Sequence, residues 1–141
     1  MIDKGLGGGA SLTIMSDAIT RGIRVAVESE YRPADSEPEE AVYVFAYHVR
    51  ISNHGQEPVQ LLNRHWIITD ADGHREEVRG PGVVGQQPTI GPGETFTYSS
   101  FCPLRTPVGS MQGSYQMVTK NNESFEAIIA PFTLAQPGQI H

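Results

Sequence analysis

Hydrophobic and polar residues alternate along much of this chain, beginning near residue 23. A period of two is typical of a strand that buries one face and exposes the other. The first alternating stretch has its apolar side chains at Ile23, Val25, Val27 and Tyr31. A longer second stretch has them at Tyr43, Phe45, Tyr47, Val49 and Ile51. Two strands are therefore predicted, separated by the proline-rich and acidic loop RPADSEPEEA.

The segment VQLLNRHWIITDADG predicts a third strand of the same kind. Leu62, Trp66 and Ile68 share one face, Arg64 interrupts that face, and a turn follows at residues 70–73. A large aromatic side chain among apolar neighbours is typical of a core, so Trp66 is predicted to be buried.

Four further strands complete the pattern. HREEVRG is predicted to be a short, polar edge strand, and TFTYSSF a strand with Phe96 and Tyr98 on one face. The last two strands are predicted at residues 114–119 and 124–134, joined by the turn KNNE. No helical period is sustained. The chain is therefore predicted to be all-β, an antiparallel β-sandwich of about seven strands, of the immunoglobulin or fibronectin type III kind.

The length of 141 residues fits a single domain, although the glycine-rich start has no sustained period. Residues 1–15 are predicted to be a flexible tail or an expression remnant, and residues 16–141 the folded domain. Met15 is then a candidate for the natural start.

Charge and cysteine content limit the class of protein. A formal net charge of −6, with ten lysines and arginines in total, disfavours a nucleic-acid-binding surface. No stretch approaches the ~20 apolar residues of a membrane-spanning helix, so no membrane insertion is expected. The single cysteine, Cys102, cannot form an intramolecular disulfide, and the start does not resemble a secretion signal. The expected location is the cytoplasm.

The stretch GPGVVGQQP has the spacing Gly-x-Gly-x-x-Gly at Gly80, Gly82 and Gly85. In a dinucleotide-binding fold such glycines join a strand to the N-terminus of a helix. Pro88 and Pro92 disfavour a helix here. Two interpretations remain open. The glycines permit positive φ angles in a loop between strands, or their N–H groups form a non-helical nest for an anion such as pyrophosphate.

Other candidate chemistry is sparse. Cys102 immediately precedes a proline and is interpreted as structural, and the five histidines lack the spacing of a zinc site. The sequence DADG at residues 70–73 is interpreted as a turn and not as a calcium loop. The carboxylates of DSEPEE are either candidate ligands for Mg²⁺ or Co²⁺ or a solvated run of charge. No catalytic residue and no cofactor is predicted.

The chain resembles the bacterial ApaG family in YVFAYHVRISNHGQEPVQLLNRHWIITDADG, EVRGPGVVGQQPTIGPGETFTYSS, TPVGSMQGSYQMV and the closing IH. The resemblance runs in unbroken order over residues 23–141. It implies a fibronectin type III-like or immunoglobulin-like sandwich, with Gly80, Gly82 and Gly85 as a conspicuous motif. Two departures are Ser100, where the family usually has glycine, and IAPF at residues 129–132, where a shifted proline predicts a local change in the last strand.

The resemblance also implies a function. Bacterial members are associated with cobalt and magnesium resistance or efflux, and related domains occur in eukaryotic F-box proteins and in a polymerase-delta-interacting protein. These associations favour a non-enzymatic protein-binding or adaptor module that acts on an unidentified protein partner and is linked to cobalt and magnesium homeostasis. The alternatives are a small-ligand protein that binds a phosphate compound or a divalent cation, and a hydrolase of a pyrophosphate-bearing nucleotide. Exposed sheet edges further predict a homodimer.

Overall fold

A computed structural model describes residues 14–138 of the chain. This range is all-β, as predicted, and contains nine strands where about seven were expected. The strands are β1 (Ile14–Thr20), β2 (Ile23–Tyr31), β3 (Tyr43–Asn53), β4 (Val59–Asp70), β5 (Arg75–Pro81), β6 (Thr89–Ile90), β7 (Thr95–Leu104), β8 (Val108–Thr119) and β9 (Ser124–Ala135). Two short 3₁₀ helices, Pro33–Asp35 and Pro38–Glu40, lie between β2 and β3. In the described range, no helix is long and apolar enough to cross a membrane.

The strands form two antiparallel sheets that pack face to face. The first sheet has the order β1-β2-β3-β7, and the second has the order β9-β8-β4-β5, with β6 also paired to β4. On one side the sheets are joined by hydrogen bonds. Ser29 Oγ donates to Thr133 O, and Ile128 N–H donates to Thr20 Oγ1, each at 3.1 Å. The edges on the other side are β7 and β5.

The core lies between the sheets, and Trp66 is near its centre. Only 2% of Trp66 is exposed, which confirms that it is a core residue. Its ring makes edge contacts with the rings of Tyr47, Tyr115 and Phe132, with centroids 5.2, 6.3 and 6.0 Å away. Edge-to-face aromatic pairs contribute stability beyond the area that they bury. These contacts connect β3 of the first sheet to β4, β8 and β9 of the second.

Strand β1 departs from the sequence prediction, because it begins at Ile14, inside the predicted tail of residues 1–15. The strand that the alternation identifies first is β2, and β1 pairs with it in antiparallel register. The inward Ser16 is buried. The exposed side chains of β1 include Met15 and Ile19. Residues 1–13 and the closing residues 139–141 lie outside the described range.

A β-bulge in β4 changes which leucine enters the core. The register between β4 and β8 shifts just after Leu61. Leu61 is fully buried and Leu62 is half-buried, so the prediction that Leu62 shares the inner face with Trp66 is wrong. Arg64 does interrupt that inner face, because its register partner Tyr115 is fully buried.

The last two strands are longer than predicted. Strand β8 begins at Val108 instead of residue 114, and β9 continues to Ala135. The register between β8 and β9 shifts between Ile129 and Phe132, and Pro131 lies in this irregular segment. Proline has no N–H for a ladder of hydrogen bonds, so it is tolerated at such positions.

Candidate functional site

The glycine stretch makes a tight turn between β5 and β6. Val83 N–H donates to Gln86 O at 2.8 Å, and Gln86 N–H donates to Val83 O at 2.9 Å. The two residues between them, Val84 and Gly85, have φ angles of 42° and 80°. Positive φ at both central positions is the geometry of a two-residue hairpin turn, and glycine adopts it without a steric penalty. The sequence-predicted Gly85 therefore has a conformational role.

Gly82 has a different role, just before the turn. Its φ is 62°, and an added Cβ would collide with the carbonyl oxygen of Gln86. Its N–H donates to Leu62 O at 2.8 Å. The amides of Gly82 and Val83 thus both have partners inside the protein, which favours the interpretation of the glycines as backbone hinges.

Arg64 holds this loop from the inner face of β4. Its Nη1 donates to the carbonyl oxygens of Pro81 and Gly82, each at 2.9 Å. The guanidinium covers Gly80, where an added Cβ would lie 2.9 Å from Nη2. Val83, the residue after Gly82, is buried in the core. Gly80 therefore lies at the end of β5, and Gly82 and Gly85 lie in the loop that follows it and covers part of the core.

The acidic loop and the DADG segment both form turns. Asp35 in the acidic loop pairs with Arg32, whose Nε donates to Oδ2 at 3.1 Å. Asp70 Oδ1 accepts from the N–H groups of Asp72 and His74, each at 2.9 Å, which confirms a turn. Within residues 14–138, no group of three or more His, Cys, Asp or Glu side chains is close enough to hold a metal ion.

Cys102 lies on the inner face of β7. Burial, and secondarily the charge of Glu76, raises the pKa of the Cys102 thiol to about 12. A protonated, buried thiol is chemically inert, which supports the structural interpretation. Nearby, the hydroxyls of Tyr98 and Tyr115 form a buried hydrogen bond, and burial raises the pKa of both.

Two histidines form hydrogen bonds on the sheet surfaces. His48 Nδ1 lies 2.6 Å from Ser99 Oγ, and its Nε2 lies 3.4 Å from Glu30 Oε1. His65 Nε2 lies 2.9 Å from Glu77 Oε1, and this hydrogen bond is the main cause of a lowered Glu77 pKa. The first of these contacts fixes the side chain of Ser99, a residue in the middle of β7.

Strand β7 is an edge of the first sheet, and its sequence TFTYSSFCPL contains no charged residue. Among the described strands, only β3 pairs with it. Strand β5, the edge of the second sheet on the same side, carries Arg75, Glu76, Glu77 and Arg79. Charged side chains discourage an edge from pairing with another chain, and β7 lacks this protection.

The hydrogen bonds of β3 decide which main-chain groups of β7 are free. Val44 N–H donates to Ser36 Oγ and Val44 O accepts from Arg32 N–H, each at 2.8 Å, so Val44 faces β2. Asn53 N–H donates to Glu94 O at 3.0 Å, so Asn53 faces β7. Directions alternate along a strand, and the register between β3 and β7 is unbroken. The odd-numbered residues of β3 therefore bond to the even-numbered residues of β7.

The odd-numbered residues of β7 consequently point their N–H and C=O groups away from β3. Within residues 14–138, the four whose N–H and C=O both have no main-chain partner are Thr95, Thr97, Ser99 and Phe101, and all are exposed. Phe101 is 59% exposed, and Pro103 ends the row because it has no N–H. We call this row the β7 edge. It offers a ladder of donors and acceptors to an added strand.

Sequence reasoning identified β7 as a strand but missed the β7 edge as a site. The prediction that Phe96 and Tyr98 share one face is confirmed, and that face points toward the core. The available signal was the absence of charge over ten residues. That signal becomes informative only when the topology shows which strands lie at an edge.

The fold and this edge define a two-sheet antiparallel β-sandwich with an open, uncharged edge strand. A family model described as the ApaG domain matches residues 33–119. The chain belongs to the ApaG family, which confirms the resemblance seen in the sequence.

Relatives and a solved structure agree with this assignment. The chain is 55% identical to Protein ApaG of Anaeromyxobacter dehalogenans strain 2CP-C over 127 residues, covering 90% of this chain and 100% of that protein. It is 57% identical to Protein ApaG of Azotobacter vinelandii over 119 residues, covering 84% and 94%. A crystal structure of a Bordetella pertussis protein named ApaA matches with a TM-score of 0.81 at 53% identity, covering 83% of this chain and 95% of that one. The sandwich is therefore shared with a solved relative.

Proposed function

We propose that this chain is a non-enzymatic protein-binding module of the cytoplasm, and that it recruits an extended segment of a partner protein to the β7 edge. The observation that carries the proposal is the row of N–H and C=O groups at Thr95, Thr97, Ser99 and Phe101, which no described residue pairs with, in a strand without charge. An added strand gains main-chain hydrogen bonds at such an edge, and its alternate side chains supply specificity.

The expected association is reversible. A hydrogen bond contributes a net ~0.5–1.5 kcal/mol, because both groups were bonded to water beforehand. The ordering of a flexible partner segment opposes this gain. A weak, exchangeable contact suits an adaptor. The link to cobalt and magnesium homeostasis is proposed to act through the recruited partner.

Affinity capture from native cytosol with two matched proline variants tests this function. Thr97→Pro removes one free N–H of the β7 edge and leaves the bonds to β3 intact. Arg79→Pro is the control, in β5, which is the edge strand of the facing sheet. Asp70 N–H donates to His74 O and Gly82 N–H donates to Leu62 O, so the even-numbered residues of β5 face β4 and Arg79 N–H points outward.

The expected result is a partner protein that is retained by the parent chain and by Arg79→Pro but is lost from Thr97→Pro. Equal retention by Thr97→Pro and the parent would contradict binding at the β7 edge. Both variants are checked for folding by circular dichroism before capture.

A further inference from the structure

A groove lies beside one end of the β7 edge, where β7 ends and β5 begins. Its volume is about 470 Å³. Apolar side chains on its walls are Val42, Ile68, Pro103 and Leu104, and charged side chains of both signs complete it. Ile68 and Leu104 also belong to the two facing sheets, so the groove opens into the gap between the sheets.

A strand added to β7 would direct side chains into this groove. Successive side chains of a strand point to opposite faces, and directly opposite residues of paired strands share a face. Cys102 and Leu104 are buried on the inner face of β7. A partner residue opposite either of them therefore points into the gap between the sheets, beside the groove.

We propose that the occupant of the β7 edge is an extended partner segment with alternating apolar and polar side chains, and that one apolar side chain enters this groove. The inference rests on the proposed function and names the chemistry of the partner. The free main-chain groups call for an extended strand, and the apolar walls of Ile68 and Leu104 call for alternate apolar side chains.

A second copy of this chain fits the combination of the β7 edge and the apolar groove less well. Its own β7 could supply the hydrogen bonds of an added strand. Its inward side chains Tyr98, Cys102 and Leu104, however, are already buried in its own core, with 9%, 3% and 7% exposed. They are not free to enter the groove of another copy, whereas those of an unfolded segment are.

Fluorescence anisotropy with the full chain and three labelled peptides of roughly eight residues tests the inference. The first peptide alternates threonine and valine. The second has the same composition, with all valines in one block. The third alternates threonine and serine. We expect the first to bind roughly tenfold more tightly than the other two, because only it places valine at every inward position.

Variants of the protein separate two contributions to peptide affinity, one from the main chain of the β7 edge and one from the groove. Thr97→Pro should weaken binding of both alternating peptides several-fold, and Arg79→Pro should leave both unchanged. Ile68→Thr should weaken only the threonine–valine peptide. Val42→Thr provides a second probe of the groove, at another apolar lining residue, if Ile68→Thr does not fold.

The possible results distinguish failure of the proposed function from failure of the proposed partner chemistry. Loss of all peptide binding, or binding that Thr97→Pro does not change, would remove the proposed function. Peptide binding that depends on Thr97 but is equal for all three peptides would remove only the apolar segment. A dimer in sedimentation that Thr97→Pro dissolves would make a second copy the occupant. Peptide binding that appears only after deletion of residues 1–13 would make the chain's own start the occupant, and either result overturns the proposal.

Discussion

At the residue scale, the glycine stretch combines three separate physical requirements. Gly85 supplies a positive φ in open space, and Gly82 supplies a positive φ beside a close carbonyl oxygen. Gly80 leaves room for the guanidinium of Arg64. A spacing that resembles a dinucleotide motif can therefore arise from a loop that covers part of a core. The sequence predicted a loop here, but the separate requirements depend on contacts with β4 that only the fold provides.

Alanine substitutions measure how much two of these requirements contribute to the free energy of unfolding. Gly85→Ala should lower the free energy of unfolding by ~1 kcal/mol, because only the positive φ is penalised. Gly82→Ala should cost more than ~2 kcal/mol, because the same penalty is joined by a collision with the carbonyl of Gln86. Urea unfolding of both variants measures the difference. Equal, small effects would show that the loop adjusts freely.

Pyrophosphate should not stabilise the protein. The N–H groups of Gly82 and Val83 already donate to Leu62 and Gln86, so they are not free to bind an anion. A ligand that binds only the folded state raises the melting temperature by mass action. We expect no rise with millimolar pyrophosphate. A saturable rise that is lost in a folded Gly82→Ala variant would establish the anion nest instead.

Trp66→Ala should be among the most destabilising single changes. Trp66 is 2% exposed and contacts three aromatic rings, and removal of such a side chain typically costs ~3–5 kcal/mol. Phe101→Ala is the control, since Phe101 is 59% exposed and its loss should cost about 0.5 kcal/mol or less. Denaturant unfolding compares the two. Similar costs would contradict the assignment of Trp66 to the core.

At the element scale, the strands that follow the usual alternation could be predicted and the others could not. Strands β2 and β3 have apolar residues inside and polar residues outside. Strand β1 reverses this pattern, with Ser16 inside and Met15 and Ile19 outside, so its periodicity gave no signal. Strand β6 has two residues, too few to show a period. The β7 edge could not be predicted either, because the order of strands along the chain does not state that β3 is the single described strand paired with β7.

A pair of proline variants tests the orientation of β7. Thr97 N–H points outward, so Thr97→Pro should cost about 1 kcal/mol or less. Ser100 N–H points toward Tyr47 across the register, so Ser100→Pro should cost about 3 kcal/mol or more. Both side chains are small, so the difference reports the lost hydrogen bond. The reverse order in urea unfolding would show that the assigned direction of the hydrogen bonds is wrong.

At the scale of the whole molecule, the sandwich is closed by hydrogen bonds on the side of β1 and β9 and has the uncharged β7 edge on the other. The interior between the sheets contains weakly acidic groups. Burial raises the pKa of Tyr47, Tyr98 and Tyr115, and it raises that of Cys102 to about 12. The free energy of unfolding should therefore fall as the pH becomes alkaline.

The direction follows from proton binding. Above the ordinary thiol pKa of 9.0 the unfolded chain loses the Cys102 proton, while the folded chain keeps it up to about pH 12. The stabilising contribution is thus fully present below about pH 9 and is lost as the pH rises, by at most ~1.4 kcal/mol per pH unit for each group. The buried tyrosines add to this loss above about pH 10.

Urea midpoints between about pH 7 and pH 11 measure this dependence. We expect a plateau followed by a decline, and Cys102→Ala should delay the onset of the decline from about pH 9 to about pH 10. A flat profile, or an unchanged onset in Cys102→Ala, would show that these groups are not held protonated in the folded state.

Amide hydrogen exchange of β7, followed by nuclear magnetic resonance, tests most directly whether this strand is an open edge that accepts a partner segment. In the free protein, fast exchange is expected at Thr95, Thr97, Ser99 and Phe101 and slow exchange at Phe96, Tyr98, Ser100 and Cys102. The alternating threonine–valine peptide should then slow exchange at the fast set alone. Slow exchange at the odd-numbered amides of the free monomer, or unchanged exchange there at saturating peptide, would contradict binding at the β7 edge.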